Sequence, residues 1–284
     1  MKPHRWTDRP EPRPGAGVDN PFVGREVACR YASARPVLHH HVTKLLADRI
    51  PRPPRALDLG CGTGLSTAAL QGFAKMVVGI DVSSQMLAAR TDHSAMYVLA
   101  QAERLPFAGA VFELVTIASA IHWFGPEAIY ELGRVLGPNG WLVVYDVWFR
   151  GEMVGANEFA EWMRGEASSR YRPVPKHQYS ASTLATAGLS VAWEADLTYE
   201  VEMSQDELIN YLMTHSERIA AVRDGRETES EQRRFLSQGI EPFYRDARSR
   251  RVAFGIEVEA FSHDAASAEQ PRPAPWYGLS ADHE

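Results

Sequence analysis

The sequence predicts an α/β protein: a doubly wound, mostly parallel seven-stranded sheet, with a helical cover drawn from the C-terminal third. Three observations predict it. Short β-branched runs alternate with amphipathic ones between residues 56 and 147. A glycine cluster, Gly60-Cys61-Gly62-Thr63-Gly64, separates the first such run from the next amphipathic stretch. After Val147 the alternation gives way to aromatic- and Arg-rich chain and longer helical patterns. Regular strand–helix alternation needs right-handed crossovers, which lay helices on both faces of a parallel sheet. Ligands on such sheets sit at the carboxyl ends of the strands, where strand order reverses.

Each element follows in order. Glu26 to Ala47 reads as a helix pair broken near Pro36, because proline cannot continue a helix. Ala56-Leu57-Asp58-Leu59 is a short apolar run before glycines, which suits a buried parallel strand. Leu65 to Phe73 reads as a helix and Met76 to Ile80 as the second strand. Ser84 to Arg90 has a serine cap and Leu/Met spacing and reads as a helix. Met96 to Leu99 and Leu114 to Ala118 are the third and fourth strands. Glu127 to Leu136 is a helix stopped by Gly137-Pro138-Asn139-Gly140, and Trp141 to Val147 is the fifth strand. Farther on, Val191 to Val201 reads as a strand, Glu207 to Val222 and Glu229 to Ala247 as helices, and Val252 to Ala260 as a last strand.

Residues 1–20, with four prolines and no apolar periodicity, read as a disordered arm, and 263–284 as a similar tail. Between them, 21–262 reads as one domain, with a ligand-binding half at 50–150 and a substrate cover at 148–250. The 30 basic and 36 acidic residues give a net charge of −6, but unevenly. Residues 1–55 hold eleven Lys/Arg against five Asp/Glu, whereas 56–149 hold four against eight. That balance argues against a nucleic-acid substrate, whose phosphates need basic partners. Two cysteines are too few for a disulfide framework and fit a reduced cytoplasmic compartment. No run approaches the ~18 apolar residues of a membrane span. The first fifteen residues carry charge without the apolar core of a signal peptide.

The glycine loop carries the chemistry. Its spacing is G-x-G-x-G, not the G-x-G-x-x-G of dinucleotide folds. Asp58 stands two residues before the first glycine; beside a pyrophosphate that charge is unfavourable, beside a cation favourable. Asp81 closes the second strand, seventeen residues after Gly64, where a carboxylate accepts from both hydroxyls of a ribose. A cation-tolerant loop and a ribose acid together point to S-adenosylmethionine.

ALDLGCGTG (56–64), GIDVSSQML (79–87), AQAERLPF (100–107), IASAIHWF (117–124) and ELGRVLGPNGWLVV (131–144) resemble the successive motifs of class I S-adenosylmethionine-dependent methyltransferases, whose fold is Rossmann-like. Within them the chain is most similar to the methyltransferase-11 type and its trans-aconitate methyltransferase-like small-molecule enzymes. The resemblance implies that Asp58 faces the methionine amino end through the loop, while Gly60, Cys61, Gly62, Thr63 and Gly64 pack around the cofactor. It implies that Asp81 holds the ribose and that Val82 and Met86 flank the adenine. Gln101, Ala102, Glu103 and Ser119 would line the same site. Gln101 stands where the family commonly has an acid, so its hydrogen bond to adenine lacks charge assistance.

Methyl transfer from a sulfonium needs the nucleophile held in line and dry, and a base only where a proton must leave. His122 reads either as that base or as pocket wall, beside Trp123. Tyr31 and Arg35, in RYASARP, match an N-terminal Tyr/Arg-Pro pattern of the subgroup, with Arg35 facing a carboxylate or solvent. Trp148 opens an aromatic and Arg-rich stretch suited to a lid, and Tyr211 with His215 reads as an i, i+4 pair on a cover helix. His39-His40-His41 cannot converge on one metal from a helix, so no metal site is expected. The function expected is methyl transfer to a small molecule. Its rivals are a tRNA or other nucleic-acid methyltransferase, an NAD-dependent reductase and a non-catalytic cofactor-binding regulator. Oligomeric state has no sequence signal.

Overall fold

The computed structural model describes residues 20–90 and 92–263; the arm and tail expected at 1–20 and 263–284 lie almost wholly outside them. Helices α1 (Arg25–Ala34) and α2 (His39–Ala47) come first, separated at Pro36 as the sequence predicts. Then follow β1 (Arg55–Leu59), α3 (Leu65–Gln71), β2 (Met76–Asp81), α4 (Ser84–Ala88), β3 (Met96–Leu99), β4 (Phe112–Ala118), α5 (Glu127–Val135) and β5 (Leu136–Met153). The remainder is α6 (Asn157–Trp162), α7 (Ala181–Ala185), β6 (Ser190–Ser204), α8 (Gln205–Leu212), α9 (Ser216–Arg223), α10 (Glu229–Ile240) and β7 (Ser249–Ser262).

The seven strands form one sheet in the order β3-β2-β1-β4-β5-β7-β6, parallel except for β7, which runs antiparallel to both β5 and β6. Strand order reverses between β1 and β4, which are direct neighbours. Both faces are covered. On one, Ala56 and Leu114 pack with α2, α3 and the long strands β5 and β7. On the other, Leu57, Leu59 and Ile80 pack with Ala128, Ile129 and Leu132 of α5. A parallel sheet buried on both faces accounts for the unbroken apolar runs in its strands. The outer strand β6 alternates instead, with Trp193, Leu197 and Val201 against the core and Glu202 turned outward. Charge on an edge strand discourages pairing with a second sheet.

The cover is fixed by local chemistry at its helix starts. Ser204-x-x-Glu207 and Thr228-x-x-Glu231 each form a reciprocal capping box at the heads of α8 and α10. Tyr171 donates to Glu227 at 2.8 Å, and the Arg218 guanidinium lies 4.4 Å above the Tyr171 ring, so the 169–180 segment is held onto α9 and α10.

Three sequence expectations change. The Gly137–Gly140 turn does not precede the fifth strand but loops out within it: Leu136 pairs with Phe112 and Trp141 with Leu114. Second, β5 runs on to Met153, so Trp148, Phe149 and Arg150 belong to a strand and not to a lid. The antiparallel partner β7 supplies the backbone bonds that extend it. Third, Glu207 to Val222 is two helices. The chain turns at Met213 to His215, where Thr214 donates its hydroxyl to the Tyr211 carbonyl and closes α8.

Candidate active site

The carboxyl ends of β1, β2, β4 and β5 open into a cavity of about 590 Å³, roofed by α1 and by the turn between α8 and α9. That volume suits a drug-sized molecule. A recess of about 50 Å³ adjoins it between the glycine loop and the α1–α2 junction.

The floor is the glycine loop. Gly60 has φ +72°, and a Cβ there would lie 2.6 Å from the Ala120 Cβ, so both backbone angle and space require glycine. The Gly60 and Cys61 amides both donate to the Ile80 carbonyl, at 2.8 and 2.9 Å, which locks the loop to the end of β2. Asp81 is braced from two sides: the Gly62 amide donates to one carboxylate oxygen and the Ser83 amide to the other, each at 2.8 Å. Burial pushes the Asp81 carboxyl upward, and the amides of Ser83, Gly62 and Val82 oppose that. Asp81 lines the cavity, and each of its oxygens has a further lone pair to offer.

Asp58 behaves differently. It is fully buried and accepts from the hydroxyls of Ser66 and Thr67 at 2.6 Å and Thr116 at 3.0 Å. Burial pushes its carboxyl up, against those three bonds and with the Asp81 charge. It faces neither cavity nor recess, so it holds the loop to α3 and β4. Gly64 likewise faces away: a Cβ there would meet the Tyr97 hydroxyl at 2.5 Å. Neither Asp58 nor Gly64 lines the cavity or the recess. A strand carboxylate surrounded by its own helix's hydroxyls points into the layer between sheet and helix.

At the end of β4, Ser119 takes φ +52°, a region that costs a non-glycine residue about 1–3 kcal/mol. It is held there by three bonds: its amide donates to the Tyr145 carbonyl at 2.8 Å, its hydroxyl donates to Asp146 at 2.5 Å, and the Val147 amide donates to that hydroxyl at 3.2 Å. Strain held in place beside a cavity marks a working position. Glu103 accepts from the Gly125 amide, fixing the loop that carries His122, Trp123 and Phe124.

The roof is built from distant pieces. Arg35 lies 4.6 Å from the Tyr31 ring and 5.1 Å from that of Tyr211, and donates to the Thr214 carbonyl at 3.0 Å. Burial works to lower its pKa, but Tyr31, Tyr211, Asp146 and Glu217 outweigh it and raise the value. Its Nε is buried with no hydrogen-bond partner among the described residues, and the same holds for the Thr63 hydroxyl. Both residues line the small recess, so two orphaned donors share one pocket. His39 donates to or accepts from Tyr145 at 3.0 Å, and burial followed by the nearby Arg35 lowers it to about 4. His41 stacks on Tyr199 at 3.7 Å and packs against His40 at 3.9 Å, while His39 turns to Tyr145. No group of three His, Cys, Asp or Glu suited to a metal occurs among the described residues.

The cavity therefore gathers Gly60, Gly62, Asp81, Val82, Met86, Gln101, Ala102, Glu103 and Ser119 with Tyr31, Arg35, His122, Trp123, Trp148 and Tyr211. Cys61 and Thr63 line the recess; Cys61 is buried, and burial beside Asp58 and Asp81 pushes its thiol upward, out of nucleophilic range. Sequence reasoning missed Phe22, Asp146, Lys176 and Glu217. Asp146 was within reach, since the expected fifth strand, Trp141 to Val147, ends beside it. Lys176 and Glu217 lie in segments whose local pattern holds no sign of the fold they join.

Residues 57–144 match the family model described as a methyltransferase domain. The chain is 38% identical over 97 residues to a demethylmenaquinone methyltransferase of Corynebacterium kroppenstedtii, covering 33% of this chain and 42% of that protein. It is 36% identical over 132 residues to a malonyl-[acyl-carrier protein] O-methyltransferase of Enterobacter lignolyticus, covering 42% and 53%. The chain thus spans about half the length, or less, of these two curated relatives. Among solved structures, one from Anaeromyxobacter dehalogenans assigned as a type II methyltransferase aligns with a TM-score of 0.60 at 22% identity, over 78% of this chain and 94% of that one. That likeness is one of fold.

Proposed function

We propose that this chain, whose residues 57–144 match the methyltransferase-domain family model, is an enzyme that transfers a methyl group from S-adenosylmethionine to a small-molecule acceptor. One observation carries the reading: a single connected site offers a braced carboxylate, Asp81, and two orphaned donors, Arg35 Nε and the Thr63 hydroxyl. The first suits paired ribose hydroxyls and the second a free carboxylate, which are the two ends of this cofactor. Bound there, S-adenosylmethionine supplies a methyl group on an activated sulfonium.

The chain's own residues hold and orient. Asp81 takes the ribose, Val82, Met86, Gln101 and Ala102 enclose the adenine, and Gly60 and Gly62 let the backbone approach closely. Glu103 and Asp58 act one step back, fixing the Gly125 turn and the glycine loop. Tyr31, Trp123, Trp148 and Tyr211 wall the acceptor space and exclude water, so that in-line geometry does most of the catalytic work. On this reading 21–262 is one domain, with 50–150 serving the cofactor and parts of 148–250 the acceptor.

The acidic balance of residues 56–149 and relatives named for a quinone precursor and a malonyl carrier protein support a small acceptor over a nucleic acid. No helix among the described residues is long and apolar enough to cross a membrane, and both cysteines are free, which supports a cytoplasmic setting. Titration calorimetry with S-adenosylmethionine, S-adenosylhomocysteine and NAD tests the reading. The first two are expected to bind and NAD is not; binding of NAD alone would replace methyl transfer with hydride transfer. A radiolabelled methyl donor offered with metabolite extracts then identifies the acceptor.

A further inference from the structure

The turn that breaks the expected long cover helix places a histidine and a carboxylate in the cavity together. His215 is the cap residue of α9, and its Nδ1 faces a Glu217 carboxylate oxygen at 3.6 Å. The ring also packs edge-on against Tyr211, at 5.1 Å between centroids, so two neighbours fix its orientation. Both His215 and Glu217 line the cavity, and Arg35 ties the turn to α1 through the Thr214 carbonyl. A carboxylate beside one imidazole nitrogen leaves the other free to act as a base, the kind of arrangement by which nucleophiles are activated.

Resting on the methyl-transfer reading, we propose that His215, oriented by Glu217, is the general base of this enzyme, and that the acceptor is a hydroxyl carried on a flat aromatic molecule. The walls are aromatic and suited to stacking on such a ring. Phe22 and Trp123 meet edge-to-face at 5.8 Å, and Trp148 lies across Gly255, where a Cβ would come within 2.7 Å of the indole. Transfer to a hydroxyl releases a proton that transfer to a carboxylate does not. The O–H bond breaks as the oxygen lone pair forms the O–CH₃ bond, the proton passes to the imidazole, and the C–S bond's electron pair returns to sulfur. The imidazolium later loses its proton to water.

The groups around His215 keep it neutral and ready. Burial lowers its pKa and Arg35 and Arg218 add to that, while Glu217 opposes them. Glu217 itself stays below the usual carboxylate range: burial alone would raise it, but His215, its backbone and Ser216 overcome that. Tyr211 and Asp146 complete the charged and titratable surroundings through Arg35.

The test uses 4-hydroxybenzoate, which carries a hydroxyl and a carboxylate on one ring, with 1-naphthol and catechol beside it. Aryl ether formation is expected from at least one of them, with 4-methoxybenzoate and not the methyl ester as the product of the first. His215→Gln is expected to lower kcat roughly 10²-fold or more, the usual weight of a general base, while S-adenosylmethionine affinity stays within about twofold. Glu217→Gln acts through His215: the rate rises with pH as the base loses its proton, so removing Glu217 moves that limb to lower pH and reduces the plateau. Imidazole NMR of the S-adenosylhomocysteine-bound protein reads the same shift without turnover, and it carries the test if His215→Gln does not fold. Ester as the sole product, an unmoved limb and NMR titration in Glu217→Gln, or no ether from any probe by protein that binds S-adenosylmethionine would overturn the proposal. Failure to bind S-adenosylmethionine at all would overturn the parent reading instead.

Discussion

The two halves of the cavity are held together in different ways. On the floor, the parts are fixed by backbone groups nearby in sequence or on the neighbouring strand: the Gly62 and Ser83 amides donate to Asp81, and the Gly60 and Cys61 amides donate to the Ile80 carbonyl. In the roof, side chains are fixed by partners more than fifty residues away: Arg35 on Thr214, Arg30 on Glu229, Tyr171 on Glu227. A floor of backbone bonds tolerates little variation, because every donor is a fixed part of the chain. A roof of side-chain pairs is free to change with the acceptor while the floor stays the same.

The comparison is open to attack, and the largest blow is Asp81→Ala. It removes an acceptor braced by two charge-assisted bonds, and S-adenosylmethionine affinity measured by calorimetry is expected to fall about 10²–10³-fold. Unchanged affinity would mean that the floor does not hold the ribose. Next, Gly60→Ala combines a positive φ with contact against Ala120 and Phe124, and urea unfolding is expected to show a loss of about 2–4 kcal/mol. In the cover, Tyr171→Phe removes one hydrogen bond at a buried site, for about 0.5–1.5 kcal/mol and a few degrees in Tm. A loss as large as that of Gly60→Ala would erase the distinction between the halves.

The smallest effect is a pH dependence. The Asp58 carboxyl is raised in the folded protein, so the native state binds its proton more tightly than the unfolded chain does. Its contribution to stability is therefore fullest below the unfolded value of about 4 and falls as pH rises through the folded value. The stability difference between wild type and Asp58→Asn is expected to favour the wild type more at pH 4.5 than at pH 7.5, by urea melts at both. A flat difference would show that the three hydroxyls compensate fully for burial.

Much of the floor was legible because strand, glycine loop and acid follow one another in sequence. The positions of Gly60, Gly62, Asp81 and Met86 came from spacing and from the family resemblance together, and they line the cavity. That Asp58 and Gly64 line neither cavity nor recess was not legible, since residue order does not say which face of a buried strand meets the helix. The roof was less legible. Tyr31, Arg35 and Tyr211 were named, yet the turn at Met213 to His215 was read through as helix, because nothing local to that stretch contains Arg35, which takes the Thr214 carbonyl.

The sequence by itself determined the alternation of strands and helices, the glycine loop with its acid two strands' ends apart, and the point where the alternation stops. These are short-range properties: apolar period, cap residues and the backbone freedom of glycine act within a few residues. Only the tertiary structure decided that β7 enters antiparallel and prolongs β5, that Asp58 faces α3 while Asp81 faces the cavity, and that His215 and Glu217 come to share it. Those outcomes depend on which distant groups satisfy a buried donor or acceptor, and that pairing exists only once the chain has closed on itself.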